Sequence, residues 1–75
     1  MNISAELDAR GLNCPLPILR TKKKISELTA GETLKVLATD PGSVKDMEAF
    51  CRQTGNELVM SMQESDCFTF VVRKG

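Results

Sequence analysis

The chain contains no histidine, no tryptophan and no tyrosine. Without histidine, Cys-His and Ser-His catalytic pairs cannot be assembled within it. Three phenylalanines are its whole aromatic content, a poor supply for stacking nucleic-acid bases. Ten basic and ten acidic residues leave a formal net charge of zero, so the total gives no general attraction to nucleic acid or anionic lipid. No apolar run approaches a membrane span. The first residues, Met1 to Glu6, have neither the basic region nor the apolar stretch of a signal peptide. Cysteine is also scarce: Cys14, Cys51 and Cys67 are odd in number and widely spaced. That pattern describes free thiols in a reducing, cytoplasmic compartment and not a disulfide framework. Three scattered cysteines without histidine make no zinc set, and no metal or other cofactor is expected.

A length of 75 residues predicts a single domain spanning 1–75. A domain of this size buries only about 60% of the surface its unfolded chain exposes. The core is thin, and any site belongs to the surface.

Within those bounds the chain has a clear rhythm. Ile3, Ala5, Leu7 and Ala9 alternate with polar residues and predict a strand ending near Asp8. Gly11 permits a turn, and a helix is expected from Pro15 to about Leu28. At 100° per residue Ile18, Lys22, Ile25, Leu28 and Thr29 share one side, flanked by Leu19 and Thr21. Leu16, Arg20, Lys23, Lys24 and Glu27 fall opposite, with Lys23 and Glu27 spaced as an i,i+4 ion pair. Gly31 is the stop. Glu32 to Thr39 predicts a strand with Leu34, Val36 and Ala38 on one face. Asp40-Pro41-Gly42 breaks it, and Ser43 is a credible N-cap with Asp46 as its capping-box partner. The second helix runs to about Thr54, buries Val44, Met47 and Cys51 with Phe50 beside them, and ends at Gly55. Two strands, Asn56 to Gln63 and Cys67 to Arg73, flank a short hairpin connection at Glu64-Ser65-Asp66. Leu58, Met60 and Met62 are expected on the core face of the first, and Phe68, Phe70 and Val72 on that of the second. The order strand, helix, strand, helix, strand, strand gives an α+β fold: a two-layer sandwich with two helices on one face of a four-stranded mixed sheet.

Cys14 stands out among the thiols. Cys51 reads as core packing and Cys67 as an incidental thiol at a strand start. Cys14 follows the Gly11 turn and precedes Pro15 and Pro17, so it reads as the cap of the first helix. There the helix dipole favours a reactive thiolate, and the N–H groups of Leu16 and Ile18 are expected to face an anion. A dithiol mechanism needs a resolving cysteine nearby, and position 17 is proline. What a lone thiol can do unaided is attack a sulfur atom and hold it, a relative of thiol–disulfide exchange.

The run Asp8-Ala9-Arg10-Gly11-Leu12-Asn13-Cys14-Pro15-Leu16-Pro17 resembles the Cys-Pro-x-Pro signature of the TusA/SirA-like sulfur-carrier family. The similarity continues through Asp40-Pro41-Gly42-Ser43, Phe50-Cys51 and Gly55-Asn56-Glu57-Leu58. It implies a βαβαββ two-layer fold, in agreement with the order read above. It further implies that Cys14 carries a persulfide between a donor, such as a cysteine desulfurase or rhodanese, and an acceptor protein. Such relays serve tRNA thiolation, cofactor sulfur supply or sulfur oxidation, so the chain would be a sulfurtransferase-type carrier and not a stand-alone enzyme. Pro15 and Pro17 would shape the helix start without taking part in the chemistry. Arg10, Leu12, Leu16, Arg20, Lys23 and Lys24 are the candidate partner contacts, with the charges steering an acidic partner or stabilising a thiolate. Two other readings compete: an RNA-binding or regulatory interaction module, and a redox switch through sulfenic acid at Cys14.

Overall fold

The computed structural model describes residues 2–75. The elements follow as β1 (Ala5–Ala9), α1 (Leu16–Ser26), β2 (Thr33–Ala38), α2 (Ser43–Thr54), β3 (Glu57–Glu64) and β4 (Cys67–Arg73). They form the predicted α+β architecture. The sheet order is β1-β2-β4-β3, with β1 and β2 parallel and the other two pairings antiparallel.

Each strand contributes one apolar phase to the core, because successive side chains point to opposite faces. Leu34, Val36 and Ala38 of β2 lie beside Phe70, Val72 and Phe68 of β4, and Ile25, Met47, Phe50 and Cys51 of the helices close over them. Phe70, Leu34, Val36 and Met47 are fully buried, and each such side chain stabilises the fold by roughly 1.5–3 kcal/mol.

The buried stripe of α1 differs from the expected one. It runs through Pro17, Thr21 and Ile25, while Lys22 and Thr29 are exposed and Ile18 and Leu28 are half-buried. Thr21 can occupy the core because its hydroxyl donates to the Pro17 carbonyl at 2.8 Å, which removes the penalty of an unpaired buried polar group. The α-helix also stops earlier than predicted, at Ser26. Glu27 and Leu28 donate back to Lys24 and Ile25, a tighter i→i−3 turn that ends the helix before Gly31. Lys24, one residue past the expected partner, pairs with Glu27 at 3.8 Å.

At α2 the cap is Gly42, and Ser43 is the first helical residue. The Ser43 hydroxyl is buried with no hydrogen-bond partner, so the capping-box reading fails. Gly55 closes α2 with φ 75°, the left-handed setting that a side chain would strain.

The largest departure is in β3. A register shift between Leu58 and Met60 inserts one extra residue: Leu58 lies opposite Val72, but Met60 lies opposite Val71 and Met62 opposite Thr69. Beyond this bulge every side chain changes face. Met60 and Met62 therefore belong to the helix-free face, with Leu37 and Val71, and Ser61 and Gln63 take the helix side. Met62 is 48% exposed.

Candidate functional site

The parallel pairing of β1 and β2 decides where the first helix starts. Ala9 is in register with Ala38, so the chain leaves both strands side by side at the same end of the sheet. That end, beyond the carboxyl ends of parallel strands, is where α/β topologies gather their ligand sites. The two connections are then braced against one another. Gly11, at φ 81°, turns its N–H toward Thr39 Oγ1 at 2.9 Å. The Cys14 N–H donates to Asp40 Oδ2 at 2.9 Å, and the other Asp40 oxygen accepts the Gly42 N–H at 3.3 Å. One carboxylate thus ties the start of α1 to the start of α2.

Cys14 is exposed on this rim and is not disulfide-bonded. It is not itself the helix cap. Pro15 holds that position, the Cys14–Pro15 peptide is cis, and α1 begins at Leu16. The Leu16 N–H donates to the Asn13 carbonyl at 2.8 Å and does not face an incoming anion. Pro17 is buried beneath the first turn.

The electrostatics reverse the expectation from the helix dipole. The Cys14 thiol is pushed above its ordinary pKa, first by hydrogen bonding to the Asp46 carboxylate. Partial desolvation and the negative charges of Asp46 and Asp40 act in the same direction. Cys14 Sγ and carboxylate oxygens of Asp40 and Asp46 lie within 4.8 Å of one another. The set combines one soft sulfur with two hard oxygens, and at the thiol two negative charges oppose a third. A shallow hollow of about 250 Å³ opens beside the thiol, lined by Cys14, Pro15, Ile18, Asp46, Ala49, Phe50 and Gln53.

Arg10 does not stabilise a thiolate here. Its guanidinium grips Asp8 through two hydrogen bonds of 2.9 Å, which lowers the Asp8 pKa to about 2. Leu12 packs half-buried against the core, so it is less available to a partner than its position in the loop implied. Leu16 and Leu19, by contrast, are 43% and 54% exposed. With Leu7, Arg20, Lys23, Lys24 and Glu27 they line an open groove of about 600 Å³ along α1.

The remaining candidates separate cleanly. Cys51 is buried, and burial pushes its thiol pKa up. Cys67 is half-buried at the start of β4. Phe50, Phe68 and Phe70 are all buried, which leaves no aromatic platform among the described residues for stacking bases. No described helix is long and apolar enough to cross a membrane.

Sequence reasoning missed Asp40 and Asp46 as neighbours of the thiol, naming one as a strand break and the other as a capping partner. The available signal was topological: two parallel strands deliver their following loops to the same rim.

Comparison with known proteins gives the family and the fold. The family model described as sulfurtransferase TusA matches residues 5–74. The chain is 59% identical over 69 residues to the sulfur carrier protein TusA of Allochromatium vinosum, covering 92% of this chain and 91% of that protein. It is 51% identical over 70 residues to a putative sulfur carrier protein of Neisseria meningitidis, covering 93% and 95% respectively. The crystal structure of a SirA-like protein from Desulfitobacterium hafniense superposes with a TM-score of 0.83 at 25% identity, over 95% of this chain and 97% of that one. In motif, fold and relatives alike, the chain belongs to the TusA family of sulfurtransferases.

Proposed function

We propose that this protein is a sulfur carrier, a single domain over residues 1–75 that accepts a sulfur atom on Cys14 as a persulfide and passes it to an acceptor protein. The observation that carries this reading is an exposed thiol fixed at a rim by two cross-braced loops, in a chain without histidine. The relatives named as sulfur carriers add weight. Loading is a sulfur exchange: Cys14 Sγ bonds to the outer sulfur of a donor persulfide as the bond from that sulfur to the donor cysteine breaks. The donor cysteine leaves with the electron pair, the Cys14 thiol proton balances it, and there is no net oxidation. Unloading repeats the exchange in an acceptor. Gly11, Pro15 and Pro17 set the position of Cys14 and do no chemistry.

The donor is of the cysteine desulfurase or rhodanese type, and the relay serves tRNA thiolation, cofactor sulfur supply or sulfur oxidation in the cytoplasm. Partners dock along the α1 groove, where Leu16 and Leu19 offer apolar contact and Arg20, Lys23 and Lys24 favour an acidic surface. Arg10 and Leu12 contribute less, being held by Asp8 and the core.

Intact-protein mass spectrometry after incubation with a cysteine desulfurase and cysteine tests the reading. The expected result is a gain of one sulfur atom, abolished by Cys14→Ala and retained by Cys51→Ala and Cys67→Ala. A wild-type protein that takes up no sulfur from desulfurase or rhodanese donors refutes it.

A further inference from the structure

Cys14 is surrounded by groups that oppose its ionisation. Asp46 reaches it from the first turns of α2, and Asp40 reaches it from the β2–α2 connection. The other residues lining the hollow, Pro15, Ile18, Ala49, Phe50 and Gln53, carry no charge. No lysine or arginine lines it, and Arg10, the nearest basic residue in the loop, is engaged by Asp8. An exposed carrier thiol with no cation beside it and two carboxylates within 4.8 Å is arranged for restraint.

We propose that Asp46, supported by Asp40, is a proton-holding residue that keeps the unloaded Cys14 thiol in its S–H form until a partner's active site removes the proton. The inference rests on the carrier reading and adds to it a reason for the acidic neighbours. A free carrier meets oxidants and stray electrophiles as well as partners, and only the thiolate reacts readily with them. The carboxylates make the free thiol slow to react, and a basic group in the donor's active site must accept the proton before Cys14 attacks. Once loaded, the reactive sulfur is the outer one, a further S–S bond of about 2.05 Å away from Cys14 Sγ. Charge repulsion falls with distance, so the restraint on the empty thiol is relaxed for the cargo.

The direction of one substitution separates restraint from activation. If Asp46 acted as a base that promotes the thiolate, its removal would raise the pH at which Cys14 becomes reactive. In the proposed role, Asp46→Asn lowers it. The measurement is the rate of iodoacetamide alkylation across pH, followed on the Cys14 peptide by mass spectrometry so that Cys51 and Cys67 do not contribute. For Asp46→Asn the midpoint is expected to fall by about one pH unit, giving about tenfold more thiolate at neutral pH. Because a less basic thiolate is also a weaker nucleophile, the rate at pH 7 should rise by only about threefold. Asp40→Asn removes the smaller electrostatic influence on the thiol, keeps a side-chain oxygen that can accept the Cys14 N–H, and should shift the midpoint the same way by less. It also provides the readout if Asp46→Asn is not folded by circular dichroism. An unchanged or raised midpoint in the folded variants overturns the proposal. The profile requires no sulfur donor, so its failure is distinct from a failure to load sulfur.

Discussion

Ser43 shows how a single buried atom reverses a local expectation. As an N-cap its hydroxyl would satisfy a backbone donor, and replacing it with alanine would cost about 1 kcal/mol. In the structure the residue is 1% exposed, Gly42 takes the cap position, and the hydroxyl is unpaired. A buried hydroxyl without a partner is a liability. Ser43→Ala should therefore leave stability unchanged or raise it by up to about 1 kcal/mol, measured from urea denaturation. A loss of that size would restore the capping reading. That Cys14 lies in a turn just before the first helix was legible in the sequence, because a glycine, a cysteine and two prolines fall within seven residues, but that Pro15 takes the cap position was not. Nor was the acidity of Cys14. The groups that set it arrive from α2 and from a loop 26 residues further along the chain, and only the strand register brings them there.

Among the elements, those with long, regular apolar patterns were readable and β3 was only half so. Its boundaries are close to those expected, and its orientation is right as far as Leu58. The bulge then moves Met60 and Met62 from the core face to the open face, and alternation in a sequence carries no mark of an inserted residue. Met62→Lys tests this. On the open face it should change stability by no more than about 0.5 kcal/mol. On the core face the loss would reach about 2–5 kcal/mol, and urea midpoints distinguish the two. In α1 the misread stripe has a similar origin: Thr21 looks polar in sequence, but it satisfies its hydroxyl within its own helix.

For the molecule as a whole, zero net charge conceals two unlike neighbours. The α1 groove presents Arg20, Lys23 and Lys24 against the single acid Glu27, whereas the hollow at the thiol carries Asp46, with Asp40 beside it. Summed composition could exclude a generally basic surface but could not reveal this division. A partner steered by the groove should respond to salt, because exposed charges are screened over about 10 Å at 0.1 M ionic strength. The double charge reversal Arg20→Glu with Lys24→Glu is expected to slow sulfur uptake from a desulfurase by about tenfold at low salt. The difference should shrink at high salt, and equal rates in both conditions would remove the steering role. The cross-bracing of the two loops has a mechanical consequence. Cys14 is pinned through its own backbone N–H to the connection leading into the other helix, so the sulfur is mounted as on a fixed peg and has no swinging arm. On the proposed carrier reading, a thiol mounted in this way would be brought to each partner by docking of the whole molecule and not by the swing of a flexible segment.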